Sequence, residues 1–225
     1  MTDELHLAMP SVTLSLTPMG EAAWLCEVPQ AQLDIGLQQR VMALSEKLCT
    51  HSAVCETVPG MNNLLVIFDP FHPQAADLEM LICEQWNNSA PKDHIAKVID
   101  IPVSYGGEDL VECATITGMS PEAFARLHAA GEYTVFALGS HPGFAYLGGL
   151  DERLCMPRRA VPRPKVAAGA VMIGGSQTGV QACDNPTGWN VIGKTEIRFF
   201  DPAAMPPTLL SPGMRVRFVF KEIAL

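Results

Sequence analysis

The sequence predicts an α+β protein, an N-terminal α/β sandwich-like domain over residues 11–92 followed by a β-rich domain over 93–225. Three observations lead there. Leu33, Leu37, Val41, Leu44 and Leu48 recur at helical spacing among short strand-like runs. A second apolar stripe, Leu78, Leu81, Ile82 and Trp86, closes the same part. Beyond it the texture changes, and ten of the 18 glycines fall between Gly139 and Gly193. Short apolar runs divided by Gly/Pro turns imply a β-barrel or a sandwich.

The elements follow in order. Residues 1–10 read as a tail. Residues 11–17 alternate as a half-buried strand does, and 22–28 form a second strand. The Leu33 stripe makes the first helix. Residues 54–58 and 63–68 are strands, joined by a turn through Pro59, Gly60 and Met61. Pro73 suits the first turn of the second helix. The order β-β-α-β-β-α suggests two helices on an antiparallel sheet. Pro91, Lys92 and Asp93 form a linker, and 95–105 is a strand ended by Gly106 and Gly107. Two short helices follow, one over 108–117 and one capped by Ser120, opened by Pro121 and ended at Gly131. Strands then come from VFAL (135–138), AVMIGG (170–175), GWNVIG (188–193), IRFF (197–200) and MRVRFVF (214–220).

Composition narrows the class. The formal charge is −9 and the pI near 5.1, which argues against general nucleic-acid binding. No apolar run approaches the roughly 20 residues of a membrane span. The N-terminal MTDELHLAMPS has no basic segment before an apolar core, so it does not read as a signal peptide. Seven scattered cysteines without a CxxC pair indicate a reduced, cytoplasmic protein with no disulfide framework and no zinc site.

Within this acidic chain, residues 153–165 concentrate Arg153, Arg158, Arg159, Arg163 and Lys165 between prolines. Guanidinium groups match planar anions, so this loop, with Phe144 and Tyr146 just before it, is a candidate anion site. The run from Gly188 to Thr195 matches GxxxxGK[ST], but Trp189, Val191 and Ile192 favour a strand over the loop-to-helix context a phosphate loop needs. The turn Gly174-Gly175-Ser176-Gln177-Thr178-Gly179 offers backbone amides and the Gln177 carboxamide to a ligand, and equally fits a plain turn. His128, near the C-terminal end of the Ser120 helix, suits either a titrating group favoured in its protonated form or a helix-surface histidine. Adjacent Ser140 and His141 make no catalytic triad, because a base must reach its nucleophile from another element.

Taken together, Pro59-Gly60-Met61 before LLVIF, IPVSYGG (101–107), PGFAYLGGLDERL (142–154), PRRAVPR (157–163), AAGAVMIGGSQTGV (167–180), PTGWNVIGKT (186–195) and FFDP (199–202) resemble one family. It contains the B-type subunit of the bacterial ATP-dependent 5-oxoprolinase, the kinase inhibitor KipI and part of the carboxyltransferase domain of urea carboxylase, and is also known as allophanate hydrolase subunit 1. Three places depart from the usual pattern: Ser140 after Gly139, Thr187 in Pro-Thr-Gly-Trp, and VQACDNP after Gly179.

The resemblance implies a C-terminal cyclophilin-like β-barrel. It also implies a cytoplasmic enzyme subunit, inactive alone, that hydrolyses 5-oxo-L-proline to L-glutamate. A homologous-fold second subunit (the C-type 5-oxoprolinase subunit) and a third oxoprolinase subunit are the implied partners, with ATP used by the complex. The alternatives it leaves open are a KipI-like inhibitor of a sensor histidine kinase and the carboxyltransferase half of a urea-metabolising enzyme. Expected substrate-binding residues are Arg158, Arg159, Arg163, Phe144, Tyr146, Gln177, Thr178 and Trp189, with His128 and Gln177 as candidates for catalysis. No metal is expected.

Overall fold

A computed structural model of the chain describes residues 13–29, 34–89 and 98–225. The tail 1–10, residues 11 and 12 of the expected first strand, Leu33, the linker 91–93 and residues 95–97 lie outside the described residues. The chain divides into two compact units, Met1–Val58 with Asn62–Pro91 and Pro59–Met61 with Lys92–Leu225.

In the first unit, β1 (Ser15–Pro18), β2 (Ala23–Glu27), β3 (Val54–Pro59) and β4 (Asn63–Phe68) form a sheet in the order β1-β2-β4-β3. Strand β2 pairs antiparallel with β1 and with β4. Helix α1 (Ile35–Leu48) starts where the Asp34 carboxylate accepts the Leu37 N–H at 2.6 Å, a cap that stabilises such a helix by about 1 kcal/mol. Its stripe of Leu37, Val41, Leu44 and Leu48 meets Leu64 and Val66 of β4 and Ile82 and Trp86 of α2 (Leu78–Asn87). Helix α2 begins later than Pro73 suggests. The Asp69 carboxylate accepts the Phe71 N–H at 2.9 Å and His72 Nδ1 accepts the Gln74 N–H at 3.2 Å. These local bonds hold the chain in turns before a short 3-10 segment at Ala75–Asp77 leads into the helix. Asn62 takes φ +58, the left-handed conformation that asparagine tolerates.

The second unit is a closed seven-stranded barrel. Its strands are β5 (Val98–Tyr105), β6 (Glu132–Leu138), β7 (Ala145–Gly148), β9 (Ala170–Gly174), β10 (Gln177–Val180), β12 (Asn190–Lys194) and β13 (Arg215–Ile223). The order around it is β10-β7-β6-β13-β5-β12-β9. Strands β8 (Arg163–Val166) and β11 (Asn185–Thr187) form a separate two-stranded ribbon. Helices α3 (Leu110–Ile116) and α4 (Pro121–Ala130) pack on the barrel, α3 against β12 and α4 against β13. Along β9 the side chains alternate, as a strand's must. Val171 and Ile173 join the main core, while Ala170 and Met172 join an outer cluster with Phe144, Val166, Trp189 and Val191.

One expectation needs correction. Residues 197–200 are not a strand: Phe200 makes only an isolated bridge to Thr208, and the Phe199 carbonyl accepts the Leu209 N–H at 2.9 Å. The buried Phe199 ring, 2% exposed, accounts for the apolar signal there. Helix α4 does end at Gly131, as expected, with φ −71 at that residue. A side chain there would meet the Tyr133 hydroxyl at 2.6 Å, which explains the glycine.

Leu44 is fully buried in the first unit's core. Leu44→Ala is expected to destabilise that unit by about 2–5 kcal/mol, through lost apolar burial and a residual cavity. Chemical denaturation checks this, and an unchanged midpoint would mean that the α1 stripe does not carry the core.

Candidate functional site

The arginine-rich loop is organised by a carboxylate from elsewhere in the chain. Asp109 directly precedes α3, a position where aspartate often caps, yet its side chain makes no cap bond. It is 1% exposed and turns instead to the arginines. Asp109 Oδ1 accepts from Arg159 Nη1 at 2.5 Å and from Arg163 Nη2 at 2.7 Å. Oδ2 accepts from Arg163 Nη1 at 2.6 Å and from the Val191 N–H at 2.7 Å. Burial pushes this carboxyl up, but the Arg163 hydrogen bonds, the Val191 N–H and the charges of Arg163 and Arg159 outweigh it. Together they hold Asp109 below its ordinary value. Arg163 also meets Glu108 at 2.9 Å. Two of the three arginines expected to hold substrate are thus engaged inside the protein.

Arg158 is placed differently. It is exposed and has no ion pair among the described residues, and its guanidinium carbon lies 5.6 Å from the centre of the Trp189 ring. There it lines a cleft of about 160 Å³ with Ser140, His141, Phe144, Tyr146, Gln181, Thr187 and Trp189. The aromatic wall is held edge to face: Phe144 sits 4.9 Å from Tyr146 and 5.5 Å from Trp189, centre to centre. Gly174 makes room for Trp189, since a side chain at 174 would meet the indole at 2.7 Å. The Gln181 amide donates to the Asn185 carbonyl at 3.2 Å, and Asn185 Nδ2 lies 3.0 Å from His141 Nδ1. Burial pushes the His141 imidazole down from its usual value of 6.5, so the cleft's fixed positive charge is that of Arg158.

The remaining expected residues are not in this cleft. His128 is neither on the helix surface nor open to solvent; it is 0% exposed inside the barrel. Nδ1 lies 2.8 Å from the Tyr105 hydroxyl and Nε2 2.8 Å from Thr178 Oγ1. Thr178 Oγ1 spends its own proton on the Met172 carbonyl at 2.9 Å. Nε2 must therefore donate to Thr178, and Nδ1 must accept from Tyr105. Burial drives the ring down to about 3, overriding any favour from the helix end. Gln177 is buried, its amide 2.8 Å from Met61 Sδ within the second unit. In the glycine turn, Gly175 and Ser176 are exposed, but the Gly175 N–H is taken by the Met156 carbonyl at 2.8 Å and is not offered to a ligand. The GxxxxGK[ST] match runs into β12, where Gly193 pairs with Tyr105 and Val171. Among the described residues, no group of three His, Cys, Asp or Glu is placed to hold a metal.

Asp109, Gln181 and the cleft position of His141 escape a reading of the sequence. Asp109 carries a faint signal, an acid before a helix, but its partners lie 50 and 54 residues away.

The model of the carboxyltransferase domain, subdomains C and D, matches residues 14–210. The chain belongs to this carboxyltransferase-domain family. It is 42% identical over 204 residues to the B subunit of 5-oxoprolinase from Escherichia coli O157:H7, covering 89% of this chain and 93% of that one. The crystal structure of TTHA0988 is 35% identical with a TM-score of 0.78; the match covers 89% of this chain and 40% of that longer one. The Kluyveromyces lactis urea carboxylase shares the fold at 17% identity with a TM-score of 0.74, over 92% of this chain and 22% of that one. Ser140 and Thr187 both line the cleft.

The neutral His128 has a signature in acid. Its value is about 3 in the fold against 6.5 outside it, so between these pH values the unfolded chain binds the extra proton. Stability present above pH 6.5 is lost progressively as pH falls toward 3. His128→Leu is expected to melt lower than the wild type at neutral pH and to lose less on acidification to about pH 4. Parallel pH dependences of melting temperature for the two proteins would contradict a buried neutral imidazole.

Proposed function

We propose that this chain is the B-type subunit of an ATP-dependent 5-oxoprolinase, working in the cytoplasm in two domains, 11–92 and 93–225. It acts with a second, C-type subunit of homologous fold and with a third subunit. Together they hydrolyse the lactam of 5-oxo-L-proline to L-glutamate. The observation that carries this is the near full-length similarity to the B subunit of a 5-oxoprolinase.

The cleft supports the reading chemically. The substrate is a small ring bearing a carboxylate. Arg158 supplies a charge-assisted partner for the carboxylate, and Trp189, Phe144 and Tyr146 supply a wall for the ring's carbons. Among the polar groups of the lining, the Thr187 hydroxyl suits the lactam amide. Lactam opening also needs activation of a poor electrophile, which is the role of ATP. The phosphate-loop pattern in this chain does not fit that group, because it lies in a barrel strand and opens no helix. ATP binding is therefore assigned to the assembled complex, and this chain's share is to hold and orient the lactam. Ser140 and His141 both line the cleft, but no hydrogen bond joins them among the described residues, so the reading gives the rest of the catalytic machinery to the partners.

The test uses the complete set of subunits. Oxoproline-dependent ATP hydrolysis is expected with this chain and not without it; equal rates would reject the reading. Within the active complex, Arg158→Ala is expected to raise KM for 5-oxo-L-proline by roughly ten- to a hundredfold, the loss of about 1.5–3 kcal/mol of charge-assisted binding. An unchanged KM would remove Arg158 from the substrate site.

A further inference from the structure

Adjacent arginines in the loop have opposite assignments. Arg158 faces the cleft, while Arg159 is bound to Asp109 and its backbone N–H donates to the Gly188 carbonyl at 2.7 Å. On the other side of Arg158, the Pro157 carbonyl accepts from Asn190 Nδ2 at 3.0 Å. The cleft's cation is therefore mounted between two tethered residues. The cleft's indole has a matching mount. Trp189 lies two residues before Val191, whose N–H is taken by the same Asp109 carboxylate. One buried side chain thus ties the base of α3, the arginine loop and the start of β12 together. It reaches both the strand that Trp189 leads into and the loop that carries Arg158. Asp109 does not line the cleft itself.

We propose that Asp109 is a positioning residue for the cleft: through Arg159 and Val191 it sets where Arg158 and Trp189 stand, and so governs affinity for an anionic substrate it never touches. The substrate part of this inference rests on the oxoprolinase reading above. The geometric part does not. Binding sites need their groups held to within a fraction of an ångström, and long, exposed side chains hold that position only if their backbone is fixed. Arg158, exposed and without an ion pair among the described residues, is such a side chain.

Two variants test it in the assembled complex. Asp109→Asn keeps the shape and the Val191 bond but removes the charge shared by Arg159 and Arg163. Arg159→Met cuts only the tether next to Arg158 and leaves Asp109 with Arg163 and Val191, so it remains informative if Asp109→Asn fails to fold. Each is expected to raise KM for 5-oxo-L-proline by about tenfold, as lost positioning does, with a smaller change in kcat. The second readout needs no substrate. With 5-fluorotryptophan at Trp24, Trp86 and Trp189, the Trp189 fluorine resonance, assigned with Trp189→Phe, is expected to shift and broaden in both variants while the other two stay in place. An unmoved Trp189 resonance with unchanged KM in a folded Arg159→Met protein would overturn the inference. So would an equal loss at all three tryptophans, which would mark Asp109 as a general stabiliser only. If the wild-type complex shows no oxoproline-dependent turnover, the functional reading fails, and the fluorine spectra still decide the positioning claim.

Discussion

A buried carboxylate that takes four hydrogen bonds is the point on which this molecule's candidate site turns. Asp109 draws in Arg159, Arg163 and the Val191 N–H, and in doing so fixes three segments distant in sequence. Burying a charge costs several kcal/mol unless its partners compensate, so such a cluster is poor evidence of extra stability. Its effect is on geometry. Carboxylate and guanidinium are planar, and a bidentate pair has one good arrangement. The loop over residues 157–163 is therefore held in one register against β12, and Arg158 is left on the outer face beside Trp189.

The barrel beneath supplies rigidity by a second polar arrangement. His128 links α4 to Tyr105 on β5 and to Thr178 on β10, with Phe218 of β13 4.6 Å away, centre to centre. A neutral imidazole satisfied at both nitrogens is well suited to this: one donor, one acceptor and an apolar face. The two clusters divide the polar work of the second unit. The His128 cluster orders the interior, and the Asp109 cluster orders the surface that carries the cleft.

Much of the architecture is legible in the sequence because it rests on local periodicity. The described part of the α1 stripe, Leu37, Val41, Leu44 and Leu48, reaches the core, and the apolar run AVMIGG forms β9. The signal fails where burial comes without regular structure. Phe199 and Phe200 look like a strand only because they are apolar. The site is legible as chemistry and illegible as pairing. The cation-rich loop is visible in the string, but which arginine stays free depends on an acid 50 residues upstream. Phe144, Tyr146, Arg158 and Trp189 do come together. Gln177, Thr178 and His128 do not join them, because strand alternation and a barrel interior, invisible in a helix-end histidine, set where they point.

In the proposed complex, this member of the carboxyltransferase-domain family holds a small anionic lactam on Arg158, while the neighbouring arginines serve Asp109. A crystal structure of the assembled complex with 5-oxo-L-proline tests that division most directly. The carboxylate is expected on the Arg158 guanidinium, with the ring against Trp189 and an intact Asp109 cluster beneath. Substrate held by Arg159 or Arg163, or bound outside this cleft, would contradict it.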